Sequence, residues 1–195
     1  MSGLTVIKLG GSLADSDAAA ALMRSLSARR PGRLIVVPGG GEFAETVRIA
    51  QRRHAFADRA AHHMALLAMH QSAVMLAALA PGFAVAESPA EFESAWQREL
   101  TPVWAPERMV LPATDLPASW NVTSDSLAAW LAARTGAAHL VVVKSSQVPE
   151  EMRGDALALA AAGLVDSCFP TFVAGARFTW QVVSGVAAAL KGLEA

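Results

Sequence analysis

Val6-Ile7-Lys8-Leu9-Gly10-Gly11-Ser12-Leu13 is the stretch on which the reading of this chain turns. Apolar residues of high strand propensity flank a single lysine, and two adjacent glycines follow. A cation at the end of an apolar strand needs a reason, because burying it unpaired is costly. Glycine carries no Cβ, so the backbone of such a turn can come close to a ligand with its N–H groups exposed. Together these residues read as a cationic cradle for an anion at the edge of a sheet, and phosphate is the usual occupant. The order is not that of a Walker A loop, in which the lysine follows the glycines. The plainer reading of the same residues is a tight strand–helix turn with Lys8 reaching to water.

The same arrangement recurs at once. Leu34-Ile35-Val36-Val37 is a continuous apolar run, the mark of a strand covered on both faces. It ends in Pro38-Gly39-Gly40-Gly41, and Glu42 opens a helix carrying Phe43, Val47 and Ile49. Gly39 to Ala44 also fits the loose dinucleotide pattern Gly-x-Gly-x-x-Ala. A dinucleotide fold wants an acidic residue ending its second strand about 20 residues on, however, and Asp58, at that spacing, falls in a helical segment. Strand, glycine turn and helix in succession, twice, predict a parallel α/β sheet whose working edge lies at the strand C-termini. Two glycine turns side by side there would hold two anionic groups face to face.

Further along, Asp15 or Asp17 caps a helix to about Ala28, a long helix runs from about Asp58 to Ala80, and Phe83 to Ala86 is a short strand. Ser88 or Glu87 leads a helix through Trp96 and Arg98. The proline-bearing segment 99–121 is expected to hold a short strand at Met109-Val110-Leu111. Thr123 caps a helix in which Leu127, Trp130 and Leu131 recur at helical spacing, and Gly136 ends it. His139-Leu140-Val141-Val142-Val143-Lys144 is a second strand that finishes in a lysine. A polar loop from Ser145 to Gly154, a helix at Ala156 to Ala162, a strand at Phe178 to Val183 and a helix at Val186 to Lys191 complete the chain. No repeat, linker or boundary divides residues 1–195, so one domain is expected.

Composition narrows the function. Of 195 residues 53% are hydrophobic and 17% charged, which allows a large core and argues against disorder. The net charge of −1 offers no surface for nucleic acid. No signal peptide is apparent, and the most apolar stretch, Met64 to Pro81, is interrupted by His70-Gln71-Ser72, so a buried helix and no membrane span is expected. The single cysteine, Cys168, fits a reducing cytoplasm and a packing role. Among His54, His62, His63 and His70, the pair His62 and His70 shares a helix face but has no acidic or cysteine residue at i+4 to complete a ligand set, so no metal site is expected. His62 or His63 suits a substrate pocket or a helix interface. Asp125, in the first turn of its helix, is a cap or dipole partner, or else a carboxylate that orients a nearby lysine or contacts a metal. Without a Gly-x-Ser-x-Gly elbow, a hydrolase triad drawn from Ser126, Asp125 and a histidine is set aside.

Val6 to Ser12, Val37 to Ala44 and Asn121-Val122-Thr123-Ser124-Asp125-Ser126-Leu127, in this order, resemble the motifs of the amino acid kinase superfamily. The resemblance implies a three-layer αβα sandwich on a mainly parallel sheet, with ATP and the acceptor meeting across the strand C-termini. A closer likeness is to the small kinases of methanofuran biosynthesis and their methylotroph relatives, which phosphorylate an aminomethyl-furanmethyl phosphate to the diphosphate. It rests on Pro38 to Val47, Ala61-His62-His63-Met64-Ala65, Leu111-Pro112, Ser119 to Leu127, and Asp166 with Phe169-Pro170.

By this resemblance Lys8 neutralises the transferring phosphoryl group and Asp125 orients Lys8. Gly10, Gly11 and Ser12, with Ser145, bind phosphate. Gly39, Gly40 and Gly41, with His62, Asn121 and Ser124, hold the acceptor. Mg²⁺ would arrive on ATP. The chain also departs from the family. The Thr-Asp-Val-Asp-Gly-type nucleotide loop is replaced by Lys144-Ser145-Ser146-Gln147-Val148-Pro149-Glu150, and Val183-Ser184-Gly185-Val186 lacks the usual second active-site lysine. Lys144 is the candidate to supply that charge. The expected function, as the resemblance implies, is thus ATP-dependent phosphorylation of a small molecule, a phosphorylated furan-type intermediate of methanofuran or methylofuran biosynthesis. Another kinase of the same fold (uridylate, isopentenyl phosphate or amino acid acceptor) and a non-catalytic binding member are the alternatives. An apolar long helix and five tryptophans on a chain of this size lead to the expectation of a homodimer or higher homo-oligomer.

Overall fold

Apolar runs rich in branched side chains become the strands of one sheet: β1 (Thr5–Leu9), β2 (Leu34–Pro38), β3 (Phe83–Ala86), β4 (Thr101–Trp104), β5 (His139–Lys144) and β6 (Thr179–Ser184). A computed structural model describes residues 3–14, 16–29 and 32–193. Asp15, one of the two expected caps, and the side chain of Ser12 lie outside that description. Strand order is β3-β4-β2-β1-β5-β6, and every pairing in it is parallel. The helices are α1 (Gly11–Ala14), α2 (Asp17–Arg29), α3 (Gly41–His54), α4 (Asp58–Ala78), α5 (Pro89–Gln97), α6 (Glu107–Val110), α7 (Ser124–Thr135), α8 (Ala156–Ala161), α9 (Phe169–Val173) and α10 (Gly185–Gly192).

Alternation along the strands divides the core in two. Val6, Val37, Leu140 and Val142 face a layer containing Phe92 of α5, Leu127 and Leu131 of α7 and Phe169 of α9. Ile7, Leu9, Val36 and Val141 face Leu22 and Leu26 of α2 and Ala189 of α10. The αβα sandwich expected from the sequence is what forms. Among the described residues no helix is long and apolar enough to cross a membrane.

The chain leaves β1 toward β2 on one side and leaves β5 toward β6 on the other. These neighbouring strands therefore open a crevice at their C-terminal ends, the place where ligands bind in open α/β sheets.

One expected element is corrected. Met109-Val110-Leu111 is not a strand, since Glu107–Val110 is the helical turn α6 and the strand lies earlier, at Thr101–Trp104. A three-residue apolar run does not tell strand from helix. Pro102 disguised the true strand, because proline has no N–H for a ladder. Accordingly β4 pairs with β2 only through Val36–Val103, while four residue pairs join it to β3.

Candidate active site

Strand alternation places Lys8 on the face of Val6, beneath α7, where it is only 2% exposed. Lys8 is in register with Val142, and Lys144, two residues further along β5, projects from the same face. Asp125, in the first turn of α7, lies between them and is 4% exposed. Lys8 Nζ is 2.7 Å from Asp125 Oδ1. Lys144 Nζ donates to Asp125 Oδ2, also at 2.7 Å. Oδ1 accepts no well-aligned hydrogen bond, so its contact with Lys8 is an ion pair in nature. One buried carboxylate thus bridges two ammonium groups at the crevice.

This bridge sets the charge states. Burial works against the Asp125 carboxylate, but the charges of Lys8 and Lys144 outweigh it, and its pKa lies below the ordinary value. Lys144 is lowered to about 8 by burial first and by the Lys8 charge second, with Asp125 pulling the other way.

The glycine turns come together by direct backbone contact. A Cβ on Gly39 would stand 2.5 Å from the Gly11 nitrogen, and one on Gly11 would stand 2.8 Å from the Gly41 nitrogen. Gly41 adopts φ +52°, a left-handed conformation that glycine accepts readily. Gly10 is corrected as a phosphate donor: its N–H donates to the Val143 carbonyl at 2.9 Å and so continues the sheet. Gly39 N–H donates likewise to Leu9 O, at 2.8 Å. What both positions require is close approach, and Gly39→Ala is expected to cost ~1–3 kcal/mol, the usual scale of overpacking. A urea midpoint equal to that of the unaltered protein would contradict the contact.

A cavity of ≈ 410 Å³ opens above this floor. Lys8, Gly11, Gly40, Gly41, Ser124, Asp125 and Lys144 line it, and so does His62. Burial, and then the neighbouring His63, lowers the His62 pKa, which favours the neutral imidazole. Leu66, Met69, Val122 and Leu127 make an apolar wall. Gly10 and Gly39 support the turns from beneath and are not part of the lining. Asn121 and Ser145 are exposed and also lie outside it. The Asn121 carbonyl accepts from Cys168 N–H at 3.2 Å.

Several lining residues escaped the sequence reading. The Arg48 guanidinium lies 4.4 Å from the Trp120 ring centroid and pairs with Glu45 at 3.4 Å. Trp120 Nε1 donates to Gln51 Oε1 at 2.6 Å, and Gln51 donates to Asp58 at 2.8 Å. Glu45 and Arg48 follow Gly41 at helical spacing, a signal that would have placed them on the turn's face. The partnership with Trp120 carries no local signal.

Thr123 stands at the N-cap position of α7 but does not cap it. Its hydroxyl donates to Asp166, and Asp166 also receives the Ser126 N–H at 3.0 Å. The expected cap is corrected: the carboxylate reaches α7 from a distant loop.

Residues 3–147 match the profile of the amino acid kinase family, and the chain belongs to that family. It is 24% identical over 128 residues to the [5-(aminomethyl)furan-3-yl]methyl phosphate kinase of Methanocaldococcus jannaschii, in a match covering 65% of this chain and 58% of that protein. Among solved structures, uridylate kinase from Archaeoglobus fulgidus aligns with a TM-score of 0.74 at 15% identity, over 98% of this chain and 95% of that one. UMP kinase from Ureaplasma parvum gives 0.69 at 14% identity, covering 96% and 94%. Aspartate kinase from Synechocystis gives 0.68 at 18% identity, over 93% of this chain and 37% of that one. These structural likenesses concern the fold, and they bear out the architecture expected from the sequence.

Proposed function

We propose that this chain is an ATP-dependent kinase that phosphorylates a small phosphate-bearing acceptor of the [5-(aminomethyl)furan-3-yl]methyl phosphate type. The observation that carries the reading is the Lys8–Asp125–Lys144 bridge beneath a cavity of small-molecule size. Family membership and the named activity of the relative support it.

The chemistry suits the residues. An acceptor phosphate oxygen attacks the γ-phosphorus, the bond to the β,γ-bridging oxygen breaks, and ADP leaves with that electron pair. A phosphate monoester is largely deprotonated near neutral pH, its second pKa being about 6. Such an acceptor needs no general base, and Asp125, bound at both oxygens, is not free to act as one. Lys8 and Lys144 would neutralise charge on the transferring group, while Asp125 keeps both ammonium groups aimed at one place. Phosphoryl transfer calls for this combination of alignment and charge neutralisation. The glycine turns and the Ser124 end of α7 would position the two anions, with the apolar wall against the acceptor's ring. Mg²⁺ bound to ATP would neutralise phosphate charge; phosphate oxygens can hold it without a protein cage.

The protonation of Lys144 yields a prediction. With Lys144 lowered to about 8, kcat/KM is expected to fall as pH rises through that value. Bound triphosphate favours the ammonium, so the corresponding limb in kcat should lie higher. Stability moves oppositely. Between about 8 and the ordinary lysine value the unfolded chain binds more protons, so this group's contribution to stability rises with pH. A flat alkaline profile, or the same limb in Lys144→Ala, would remove Lys144 from the mechanism.

A homo-oligomer belongs to the same proposal, because Ile49 and Val74 remain 53% and 54% exposed on α3 and α4. Sedimentation as a monomer at micromolar concentration would withdraw that part. The rival reading, a binding member without catalysis, draws on the altered loop after β5, where Val148 is buried and its N–H donates to Ser184 Oγ at 2.7 Å. Acceptor-dependent ADP release decides between the two.

A further inference from the structure

Asp166 lies between α8 and α9, 43 residues beyond Thr123. Its Oδ2 accepts from Thr123 N–H at 3.0 Å, the Thr123 hydroxyl at 2.8 Å and Ser126 N–H at 3.0 Å. Its Oδ1 accepts from the Ser126 hydroxyl in a close contact, and from Cys168 and Phe169 N–H at 3.2 and 3.0 Å. Six donors fill a carboxylate that offers about four lone-pair sites.

The arrangement differs from ordinary capping. At a usual N-terminus the cap residue's own oxygen accepts from the N–H three positions on. Here Thr123 donates, and the Ser126 N–H turns to Asp166 instead. Asp125 sits between these two clamped residues. Holding both fixes the backbone torsions and axial height of the turn from which the Asp125 carboxylate reaches Lys8 and Lys144. The far side of the clamp is firm: Phe169 is fully buried, with its ring edge-on to Trp180 at 5.5 Å. A buried ion pair offsets the loss of water only when its geometry is excellent. Asp125 must meet this condition twice.

We propose that Asp166 is a positioning residue of the phosphoryl-transfer site: by clamping Thr123 and Ser126 on either side of Asp125, it sets the aim of that carboxylate and so the placement of the two lysine ammonium groups. This inference rests on the kinase reading above, and it assigns the α8–α9 loop a part in alignment.

The test compares Asp166→Asn and the double variant Thr123→Val/Ser126→Ala, which keeps the Asp166 charge and removes two hydroxyl donors. Each is made with Asp125 intact and with Asp125→Asn. With Asp125 intact, kcat is expected to fall ~10-fold for Asp166→Asn and ~3-fold for the double variant, since small misplacements cost rate steeply. KM values should stay within about twofold, and both losses should shrink below about twofold in the Asp125→Asn background, the sign of residues acting through one another. An unchanged kcat per folded molecule, or equal losses in both backgrounds, overturns the proposal even where thermal stability falls.

A second readout needs no turnover. Acetic anhydride labelling of Lys144, followed by mass spectrometry at pH 7, should quicken at least ~2-fold in the double variant, because a poorly aimed Asp125 favours the neutral amine. Unchanged labelling overturns the role of Asp166. A wild type that releases no ADP with any phosphate-bearing acceptor refutes the kinase reading instead, and the labelling still judges Asp166. Should Asp166→Asn fail to fold, the double variant carries both measurements.

Discussion

Asp125→Ala is expected to lower stability by ~3–5 kcal/mol, the usual penalty for removing one partner from a buried ion pair. Two ammonium groups would then face each other with no carboxylate between them. Lys8, whose side chain is 3% exposed, has little water to turn to, and Lys144 has only slightly more. The protein's recourse is to release a proton from one lysine, which removes a charge the site needs. Activity should therefore fall with stability. The pH dependence has a definite sign. Because the Asp125 pKa lies below its ordinary value, its contribution is complete above the unfolded-state pKa and is lost as pH falls through the folded one. Acid should thus narrow the gap between variant and parent. Urea unfolding at neutral and acidic pH measures this, and equal midpoints at neutral pH would show that the bridge contributes nothing.

Lys8→Ala should leave the fold less affected, because Asp125 keeps Lys144 at 2.7 Å as a counter-ion. Its effect falls on chemistry. A preorganised cation aimed at developing charge, in a site that excludes water, commonly contributes a factor of ~10² or more. At least that loss is expected in phosphoryl transfer, with folding confirmed by the same unfolding curve. The comparison with Asp125→Ala separates the roles, since one variant removes a charge from the reaction and the other removes what holds two charges together. Turnover undiminished in Lys8→Ala would end the proposed mechanism.

How much of this was legible beforehand varies by element. Strands β2, β3 and β5 could be read because their apolar runs are continuous and bounded by glycine, proline or a lysine, and β1 because paired glycines close an apolar run that a single lysine interrupts. The strand β4 could not, since Pro102 argues locally against a strand and only pairing with β3 overrides that preference. The bridge was half legible. Resemblance led from Asp125 to Lys8, while a lysine at or next to the end of each of two strands hinted at Lys144. That both ammonium groups share one carboxylate depends on the parallel register of β1 and β5, which no single strand encodes. Register also decided Gly10, whose N–H is engaged by β5. The Arg48–Trp120 stack joins α3 to a loop far along the chain, and the clamp of Asp166 joins α7 to another. Such contacts are tertiary and leave no periodicity to find.

The most direct measurement of the central claim is ADP release from ATP and Mg²⁺ with [5-(aminomethyl)furan-3-yl]methyl phosphate, UMP and isopentenyl phosphate offered separately, using wild type and Lys8→Ala side by side. The expected result is acceptor-dependent ADP release by the wild type, highest with the aminomethyl-furan phosphate, and at least ~10²-fold slower in the variant. ADP release no faster with any acceptor than without one, or equal rates in wild type and variant, would contradict it.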